Sequence, residues 1–342
     1  MSAAEPFPRM EERLHELLSA YGLTFERITE LIDTSRSDGD RRLNFILDRR
    51  YVLKLHAPES IWEDRLCGIA RLIERYCSIG VYCPRLIRAK NGSFGVPFET
   101  EGERFICFVE EYAAFPICKE DEQPSRREVI AHLGMLAARY SNVDISDIYS
   151  MWSILDLSPL DRPGGKDDKQ ENAEALEAAL IQFGFPDLAY TVRATNQRLR
   201  QTIAAQYRDL PRCVFQGDLN SSNLLLDNGH FAGLIDFNLS GTDVNINVFV
   251  NETNWFPEED EFDQKTVPEL LTAIEQKQNE LLHVIFEQYE CNSLERELLP
   301  AYRAICDLFQ FPNVCAMRKW LKDPKRNEKA AALISALCAR ST

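Results

Sequence analysis

Residues 213–238 read CVFQGDLNSSNLLLDNGHFAGLIDFN. Two short apolar runs flank Asn228-Gly229, a dipeptide that favours the left-handed backbone of a tight two-residue hairpin turn. The stretch therefore predicts a β-hairpin, and neighbouring strands of a hairpin lie about 4.8 Å apart. Asn223 precedes the first predicted strand and Asp236 ends the second, so folding would bring these two side chains to one edge.

An amide oxygen and a carboxylate held side by side form a suitable site for Mg²⁺. This cation takes oxygen ligands and leaves its other positions to water and phosphate. Asp218 lies five positions before Asn223, on a loop whose downstream end a metal ligand would fix. We therefore expect the Asp218 carboxylate to lie near the metal and to accept a proton from a substrate hydroxyl. Asp and Asn are also common turn residues, so this hypothesis depends on their joint spacing.

Length and composition indicate an ordinary globular protein. The chain has 342 residues, which suggests two domains of about 150 residues each. No run of 18 apolar residues occurs and the first residues lack a basic start followed by an apolar stretch, so neither a membrane span nor a signal peptide is expected. We predict a cytoplasmic protein whose ten cysteines, none in a C-x-x-C pair, are reduced thiols and not zinc ligands.

The net charge of −15 bears on the kind of partner. An acidic surface repels polyanions, so we expect no nucleic-acid partner. It would attract a cationic small molecule, although acidic proteins are also common because charge keeps them soluble.

The pattern of the chain changes near residue 112. Before it, apolar alternation predicts a strand-rich unit with one helix, and after it a 3.6-residue period predicts mainly helices. The predicted strands include 43–47, 51–56 and 104–113, with the helix in 59–78 between them, and a further helix at 8–21 precedes them. The later helices are predicted near 125–141, 173–183, 186–207, 266–290, 294–310 and 325–340. We therefore predict an α+β fold of two lobes, residues 1–111 and 112–342.

The segment QGDLNSSN, followed by the hairpin and LIDF, resembles the catalytic segment of the aminoglycoside phosphotransferase and choline kinase-like family. In that family H-G-D-x-x-x-x-N precedes a hairpin and I-D-[FW], a variant of the protein-kinase pattern. The resemblance implies a protein-kinase-like fold and phosphoryl transfer from Mg·ATP, with Asp218 as catalytic base and Asn223 and Asp236 as Mg²⁺ ligands. Gln216 replaces the usual His, and since Gln also donates and accepts hydrogen bonds, we expect it to keep the loop geometry.

The resemblance also implies nucleotide contacts in the N-terminal lobe. Lys54 in YVLKL is similar to the strand lysine that binds the α- and β-phosphates. A glutamate of the next helix should pair with it, and Glu63 is the first candidate, with Glu74 as the alternative.

Two further segments take their expected roles from the same resemblance. Residues 34–44 stand where the family has a phosphate-covering loop, and the backbone around Glu110 to Tyr112 stands where the adenine edge is bound. The expected contacts of the covering loop are Ser37, Gly39 and Asn44.

The acceptor site is expected downstream of Asp236. Asp243 lies at a similar place to an aspartate of the homoserine-kinase-like branch, and Asn247 stands where many relatives have a second Asp. Trp255 and Phe256 precede the acidic run PEEDEFD, residues 257–263, and aromatic and acidic groups together suit an amine or a quaternary ammonium. The candidate acceptor contacts are Asp243, Trp255, Glu258 and Glu259, and a solvated loop is the alternative for the acidic run.

Three functions are compatible with these patterns to different degrees. The favoured one is an ATP- and Mg²⁺-dependent kinase that phosphorylates a hydroxyl of a small molecule, namely an amino alcohol, an amino sugar or aminoglycoside, or a hydroxy amino acid. The alternative, suggested by Gln216, is a catalytically weak or inactive nucleotide-binding regulatory protein. A protein kinase is disfavoured, because no D-F-G or A-P-E sequence follows the hairpin.

Overall fold

The computed structural model describes residues 7–35, 41–100, 102–119, 121–159 and 165–340. The chain forms two compact units, which we call the N-terminal unit and the C-terminal unit. The N-terminal unit comprises Met1–Gln123 and Asn220–Asp236, and the C-terminal unit comprises Pro124–Leu219 and Phe237–Thr342. This division differs from the single boundary predicted near residue 112, because the hairpin belongs with the N-terminal residues.

A six-stranded antiparallel sheet forms the centre of the N-terminal unit. The elements are α1 Phe7–Tyr21, β1 Ile28–Asp33, β2 Arg42–Leu47, β3 Tyr51–His56, α2 Glu63–Ser78, β4 Leu86–Ile87, β5 Val96–Thr100 and β6 Glu103–Glu111. The strands of the sheet follow the order β1-β2-β3-β6-β4, and β5 pairs with the other part of β6. The predicted hairpin of residues 43–56 is confirmed, with β2 and β3 in register from Arg42↔His56 to Leu47↔Tyr51.

The two faces of this sheet differ because side chains alternate along each strand. One face is apolar and packs with Leu14 and Leu18 of α1 in a single buried cluster. The strand residues of that cluster include Phe45, Leu47, Leu53, Leu55, Phe105, Cys107 and Val109. The alternate positions, which include Asn44, Lys54, Phe108 and Glu110, therefore point to the opposite face.

The hairpin predicted at Asn228-Gly229 is confirmed. Strands β8, Leu224–Asp227, and β9, His230–Leu234, pair antiparallel. Asn228 has φ 52° and Gly229 has φ 84°, as a turn with two left-handed residues requires.

The hairpin is attached to the loop that follows α2. The Tyr82 N–H donates to the Ala232 carbonyl at 3.0 Å, and the Leu234 N–H donates to the Tyr82 carbonyl at 2.9 Å. Gly233 permits this approach, since a Cβ there would lie 2.1 Å from the Tyr82 carbonyl oxygen. These non-local bonds explain why the hairpin joins the N-terminal unit.

The C-terminal unit is mainly helical, as predicted. Its elements are α3 Arg126–Tyr140, α4 Asp168–Gln182, α5 Pro186–Ala204, β7 Arg212–Phe215, β10 Gly241–Val244, α6 Asn245–Glu252, α7 Glu259–Gln264, α8 Val267–Phe286, α9 Ser293–Phe309, α10 Phe311–Lys322 and α11 Asn327–Arg340. Strands β7 and β10 form a short antiparallel pair beside the helices. Among the described helices, α6, α7 and α10 were not predicted from the sequence.

None of the helices in the described ranges is both long and apolar enough to cross a membrane.

Candidate active site

The loop that carries Asp218 follows β7 in the C-terminal unit. Gln216 is fully buried, and its side-chain oxygen accepts a hydrogen bond from the Asp218 N–H at 2.6 Å. Gly217 has φ 84°, and a Cβ there would lie 2.5 Å from the Leu239 carbonyl oxygen. The buried amide therefore organises the loop through a hydrogen bond, in the way expected for a residue that replaces histidine.

A second set of hydrogen bonds reaches the same loop through Trp152. The Trp152 indole N–H donates to the Gly217 carbonyl at 2.6 Å. The Asn247 amide donates to the Trp152 carbonyl at 2.9 Å and to both carboxylate oxygens of Asp243 at 3.0 Å. A continuous chain of contacts thus connects Asp243 with the residue before Asp218.

Asp243, which is a predicted acceptor contact, is a buried carboxylate. It is 2% exposed and also accepts a hydrogen bond from the Val244 N–H at 2.8 Å. Burial raises the pKa of its carboxyl group to about 7, while hydrogen bonds from Asn247 and Val244 act in the opposite direction. Asp243 therefore contributes to the interior of the C-terminal unit, and its role as an acceptor contact stays a prediction.

The two expected metal ligands lie together in the N-terminal unit. The Ile235 N–H, next to Asp236, donates to the Asn223 carbonyl at 3.0 Å, so the ends of the hairpin meet as the sequence predicts. Asn223 is buried, and Asp236 adopts φ 55°, a left-handed conformation that costs energy for any residue but glycine.

The donor set at these hairpin ends fits Mg²⁺. One amide oxygen and one carboxylate are hard ligands, and phosphate and water oxygens can complete an octahedron. Within the described part of the chain, no group of three or more His, Cys, Asp or Glu side chains could hold a metal ion. A metal at the hairpin would therefore depend on a bound phosphate for part of its coordination.

Lys54 is buried on β3, and its ammonium group lies 2.8 Å from the Glu110 carboxylate. Burial lowers its pKa, but the Glu110 and Asp236 carboxylates outweigh burial, so the pKa lies above its ordinary value. Lys54 therefore carries a positive charge and interacts electrostatically with Asp236 in the same unit.

Lys54 pairs with Glu110 and not with Glu63 or Glu74, the two glutamates that were predicted as its partner. The Glu63 carboxylate instead accepts hydrogen bonds from the Phe94 N–H at 2.9 Å and the Gly95 N–H at 2.8 Å. Glu74 is exposed on α2. Phe108 is the cross-strand partner of Lys54, and Glu110, two residues further along β6, is its diagonal neighbour on the same face.

Three further basic residues accompany Lys54, and sequence reasoning missed all of them. His56 lies opposite Arg42 across the β2–β3 pair. Burial lowers the pKa of His56 well below its ordinary value, and the charges of Lys54, Arg42 and Arg65 lower it further. The sequence signal that could have revealed His56 is the alternation of side chains along β3, since His56 lies two residues after Lys54 and therefore on the same face.

The other predicted nucleotide contacts have different outcomes. Ser37 and Gly39 lie outside the described residues. Asn44 lies opposite Lys54, and its amide donates to the Thr34 hydroxyl at 3.3 Å.

The predicted adenine-binding backbone, Glu110 to Tyr112, is partly occupied by contacts within the N-terminal unit. The N–H groups of Glu111 and Tyr112 donate to the carbonyls of Arg85 and Arg50, each at 2.9 Å. A base bound at this segment would therefore need a donor other than these two groups.

The acidic run that was predicted to bind a cationic acceptor is largely paired with basic residues. Glu259 forms ion pairs with Lys319 and Arg326, and Asp263 accepts from Arg326 at 2.8 Å. Hydrogen bonds from Lys319 and Arg326 hold the pKa of Glu259 below its ordinary value. The charge of Glu259 is therefore already neutralised by basic side chains, and its contact with an acceptor stays a prediction.

Two other candidates of this segment remain predictions. Glu258 is exposed and precedes α7, and Trp255 is half-buried.

Comparison with known proteins agrees with this geometry. A family model described as the phosphotransferase enzyme family (APH) matches residues 36–244. No curated protein sequence matches the chain. Among solved structures, a microcompartment-associated aminopropanol kinase is 14% identical, with 97% of this chain and 96% of that chain covered and a TM-score of 0.54.

Two further solved structures are similar over most of their length. The amicoumacin kinase hAmiN, in complex with AMP-PNP, Ca²⁺ and Ami, is 12% identical, with 98% of this chain and 95% of that chain covered and a TM-score of 0.49. The streptomycin–ATP–APH(2'')-IIa ternary complex is 14% identical, with coverage of 98% and 97% and a TM-score of 0.46.

Proposed function

Because this chain belongs to the phosphotransferase enzyme family, we propose that it transfers the γ-phosphoryl group of Mg·ATP to a hydroxyl of a small molecule. The observation that carries the proposal is the hairpin, which brings Asn223 to Asp236 in the same unit as the Lys54–Glu110 pair. A phosphate-binding cation and two oxygen ligands for a metal are the parts that phosphoryl transfer requires.

Lys54 would bind the α- and β-phosphates of the nucleotide, and Glu110 would hold its ammonium group in place. Asn223 and Asp236 would hold Mg²⁺, which when bound offsets the negative charge of the phosphates. The accompanying charges of Arg42 and Arg65 make the same sheet face favourable for a polyanion, and the neutral His56 adds no repulsion between cations.

Asp218 would act on the acceptor. Its carboxylate would accept the hydroxyl proton while the acceptor oxygen forms a bond to the γ-phosphorus and the bond to ADP breaks. Gln216 and the Trp152–Gly217 contact would keep the carboxylate in position. The protein would contribute positioning and charge, since this reaction needs no covalent enzyme intermediate.

For the acceptor we propose an amino alcohol, an amino sugar or a hydroxy amino acid. The net charge of −15 supports an amine-bearing molecule, because a negative protein attracts cations over long distances. The paired state of Glu259 and Asp263 shifts the expected amine contact away from that part of the acidic run.

The competing function is a nucleotide-binding regulatory protein without catalysis. It is motivated by Gln216, but the hydrogen bond from Asp218 to Gln216 and the presence of Lys54, Asn223 and Asp236 favour an enzyme.

An acceptor screen distinguishes the two functions. The protein is incubated with Mg·ATP and amino alcohols, aminoglycosides, hydroxy amino acids and neutral sugars, and phosphorus NMR records new phosphate esters. We expect a phosphate ester and stoichiometric ADP with one acceptor class. Tight Mg·ATP binding without transfer to any acceptor would favour the regulatory protein, and absence of nucleotide binding would contradict both.

A further inference from the structure

Two cysteines meet at the end of α2 in the N-terminal unit. Cys77 lies in the last turn of the helix, and Cys83 lies in the loop that leads to β4. The Cys77 sulfur is 3.9 Å from the Cys83 carbonyl oxygen, and the two thiols are near enough to interact electrostatically. Both cysteines are free, Cys83 being buried and Cys77 half-buried, so only Cys77 is open to reagents from solvent.

The two thiols differ in acidity. The hydrogen bond from the Cys83 thiol lowers the pKa of Cys77 to about 6, with further lowering by Arg85, although partial burial acts in the opposite direction. The helix C-terminus acts against ionisation of Cys77, because its partial negative charge disfavours an anion. Burial raises the pKa of Cys83, and so do its hydrogen bond to Cys77 and the Cys77 charge.

We propose that Cys77 and Cys83 form a modification site for hydroperoxides, in which Cys77 is the nucleophile and Cys83 closes an intramolecular disulfide. This inference is independent of the proposed kinase activity. Partial exposure, a neighbouring arginine and a second thiol nearby are the surroundings in which cysteines react with peroxides.

The reaction balances with one peroxide for two thiols. The Cys77 thiolate attacks one oxygen of hydrogen peroxide, the O–O bond breaks, and the leaving oxygen takes a proton and departs as water. An organic hydroperoxide releases an alcohol at this step. The resulting sulfenic acid is neutral, so the charge that opposed ionisation of Cys83 is gone. The Cys83 sulfur then attacks the Cys77 sulfur, the S–O bond breaks, and a second water leaves.

The position of the pair connects it with the hairpin. Tyr82, the residue before Cys83, makes the backbone hydrogen bonds to Ala232 and Leu234, and the Cys83 thiol contacts the backbone of Leu234. A disulfide would therefore form in the loop that supports the strand leading to Asp236.

The test uses the full-length protein treated with one equivalent of hydrogen peroxide. Remaining thiols are alkylated, and the digested protein is analysed by mass spectrometry. We expect a cross-linked peptide that joins Cys77 to Cys83 and has lost two hydrogens. Cys315→Ser is the matched control, because Cys315 is exposed in the C-terminal unit, and it should leave the cross-link unchanged.

Variants of the pair separate the two roles. In Cys83→Ser, whose hydroxyl can still donate a hydrogen bond to Cys77, Cys77 should accumulate as a sulfenic acid that dimedone traps, and in Cys77→Ser no cross-link should form. The pH profile of Cys77 alkylation should have its midpoint near pH 6, about 2.5 pH units below the ordinary cysteine value of about 8.5. A Cys77 midpoint in the ordinary range, or peroxide-treated protein with both thiols still alkylated, would overturn the proposal.

Discussion

Among single residues, Glu110 has the clearest testable role. Its carboxylate and the Lys54 ammonium are 10% to 13% exposed and 2.8 Å apart, so removing one charge leaves the other buried without compensation. We expect Glu110→Gln to raise the KM for ATP roughly tenfold, which corresponds to about 1.4 kcal/mol of binding free energy. Steady-state kinetics on the acceptor found by the screen would measure it.

Glu63→Gln is the matched control for this variant. Glu63 bonds to the Phe94 and Gly95 backbone, so its change should lower the unfolding midpoint and leave the KM for ATP within about twofold, a difference worth less than RT. The opposite pattern, with Glu63→Gln affecting KM and Glu110→Gln not, would restore the pairing first predicted from the sequence.

Asp243 makes stability depend on pH. Its folded-state pKa of about 7 lies above the ordinary unfolded value of about 3.9, so the folded protein binds this proton more tightly. The stabilisation that protonated Asp243 contributes is complete below pH 4 and is lost as the pH rises through 7. The free energy of unfolding then falls by at most about 1.4 kcal/mol per pH unit. Asp243→Asn keeps the size but removes the titration.

Urea unfolding of both proteins at pH 5 and pH 8 checks this expectation. The free energy of unfolding of the wild type should fall relative to Asp243→Asn between these two values. If the free energies of unfolding of the wild type and Asp243→Asn differ by the same amount at pH 5 and pH 8, Asp243 titrates with an ordinary pKa. Both proteins share the other titratable and charged groups of this region, so the contributions of these groups to the pH dependence cancel in the comparison. They include Tyr207, Tyr302, Arg212 and Asp156.

At the scale of elements, the hairpin was predictable because its turn residues have one dominant conformation. Asn228 and Gly229 both adopt positive φ, and the paired strands then fix the position of Asn223 next to Ile235. The partner of Lys54 was not predictable in the same way. It depended on the register of β6 against β3, which brings together residues more than fifty positions apart, and on which turn of α2 faces the sheet.

The missed helices have a related explanation. The α6 sequence NINVFVNE is almost wholly buried, so it lacks the polar face that indicates a helix by periodicity. In α10 a proline follows Phe311, and proline at the start of a helix resembles a loop signal when only the sequence is read.

The attachment of the hairpin gives a prediction for this element. A Cβ at Gly233 would lie 2.1 Å from the Tyr82 carbonyl oxygen, whereas a Cβ at Gly229 meets nothing within 4 Å. We expect Gly233→Ala to displace β9 from this loop and to weaken binding of Mg·AMP-PNP by tenfold or more, about 1.4 kcal/mol. Isothermal titration calorimetry measures this affinity.

Gly229→Ala is the control within the same hairpin. Gly229 has φ 84°, so alanine there costs about 1 kcal/mol of stability through backbone strain. Nucleotide affinity should stay close to that of the wild type. If both variants bind Mg·AMP-PNP normally, the attachment of the hairpin is not needed for the nucleotide site.

At the scale of the whole molecule, the α+β class and the change from strands to helices followed from periodicity. The exact membership of each unit did not, because the chain enters the N-terminal unit a second time between Asn220 and Asp236. That return depends on hydrogen bonds of Tyr82 and Cys118 to the hairpin, which no local pattern reveals.

The same division separates the proposed roles. Lys54, Asn223 and Asp236, which would bind the metal and nucleotide, belong to the N-terminal unit, while Asp218 belongs to the C-terminal unit. Substitutions should therefore separate nucleotide binding from transfer. Asp236→Ala should weaken Mg·AMP-PNP binding itself, because it removes the carboxylate that would hold the metal.

The most direct test of phosphoryl transfer with Asp218 as base measures both properties of Asp218→Asn. Phosphorus NMR follows transfer to the acceptor, and calorimetry follows Mg·AMP-PNP binding. Loss of a general base lowers rates by about 10² to 10⁴, so we predict a fall in transfer of at least about a hundredfold with nucleotide affinity nearly unchanged. Full transfer by Asp218→Asn would contradict the assignment.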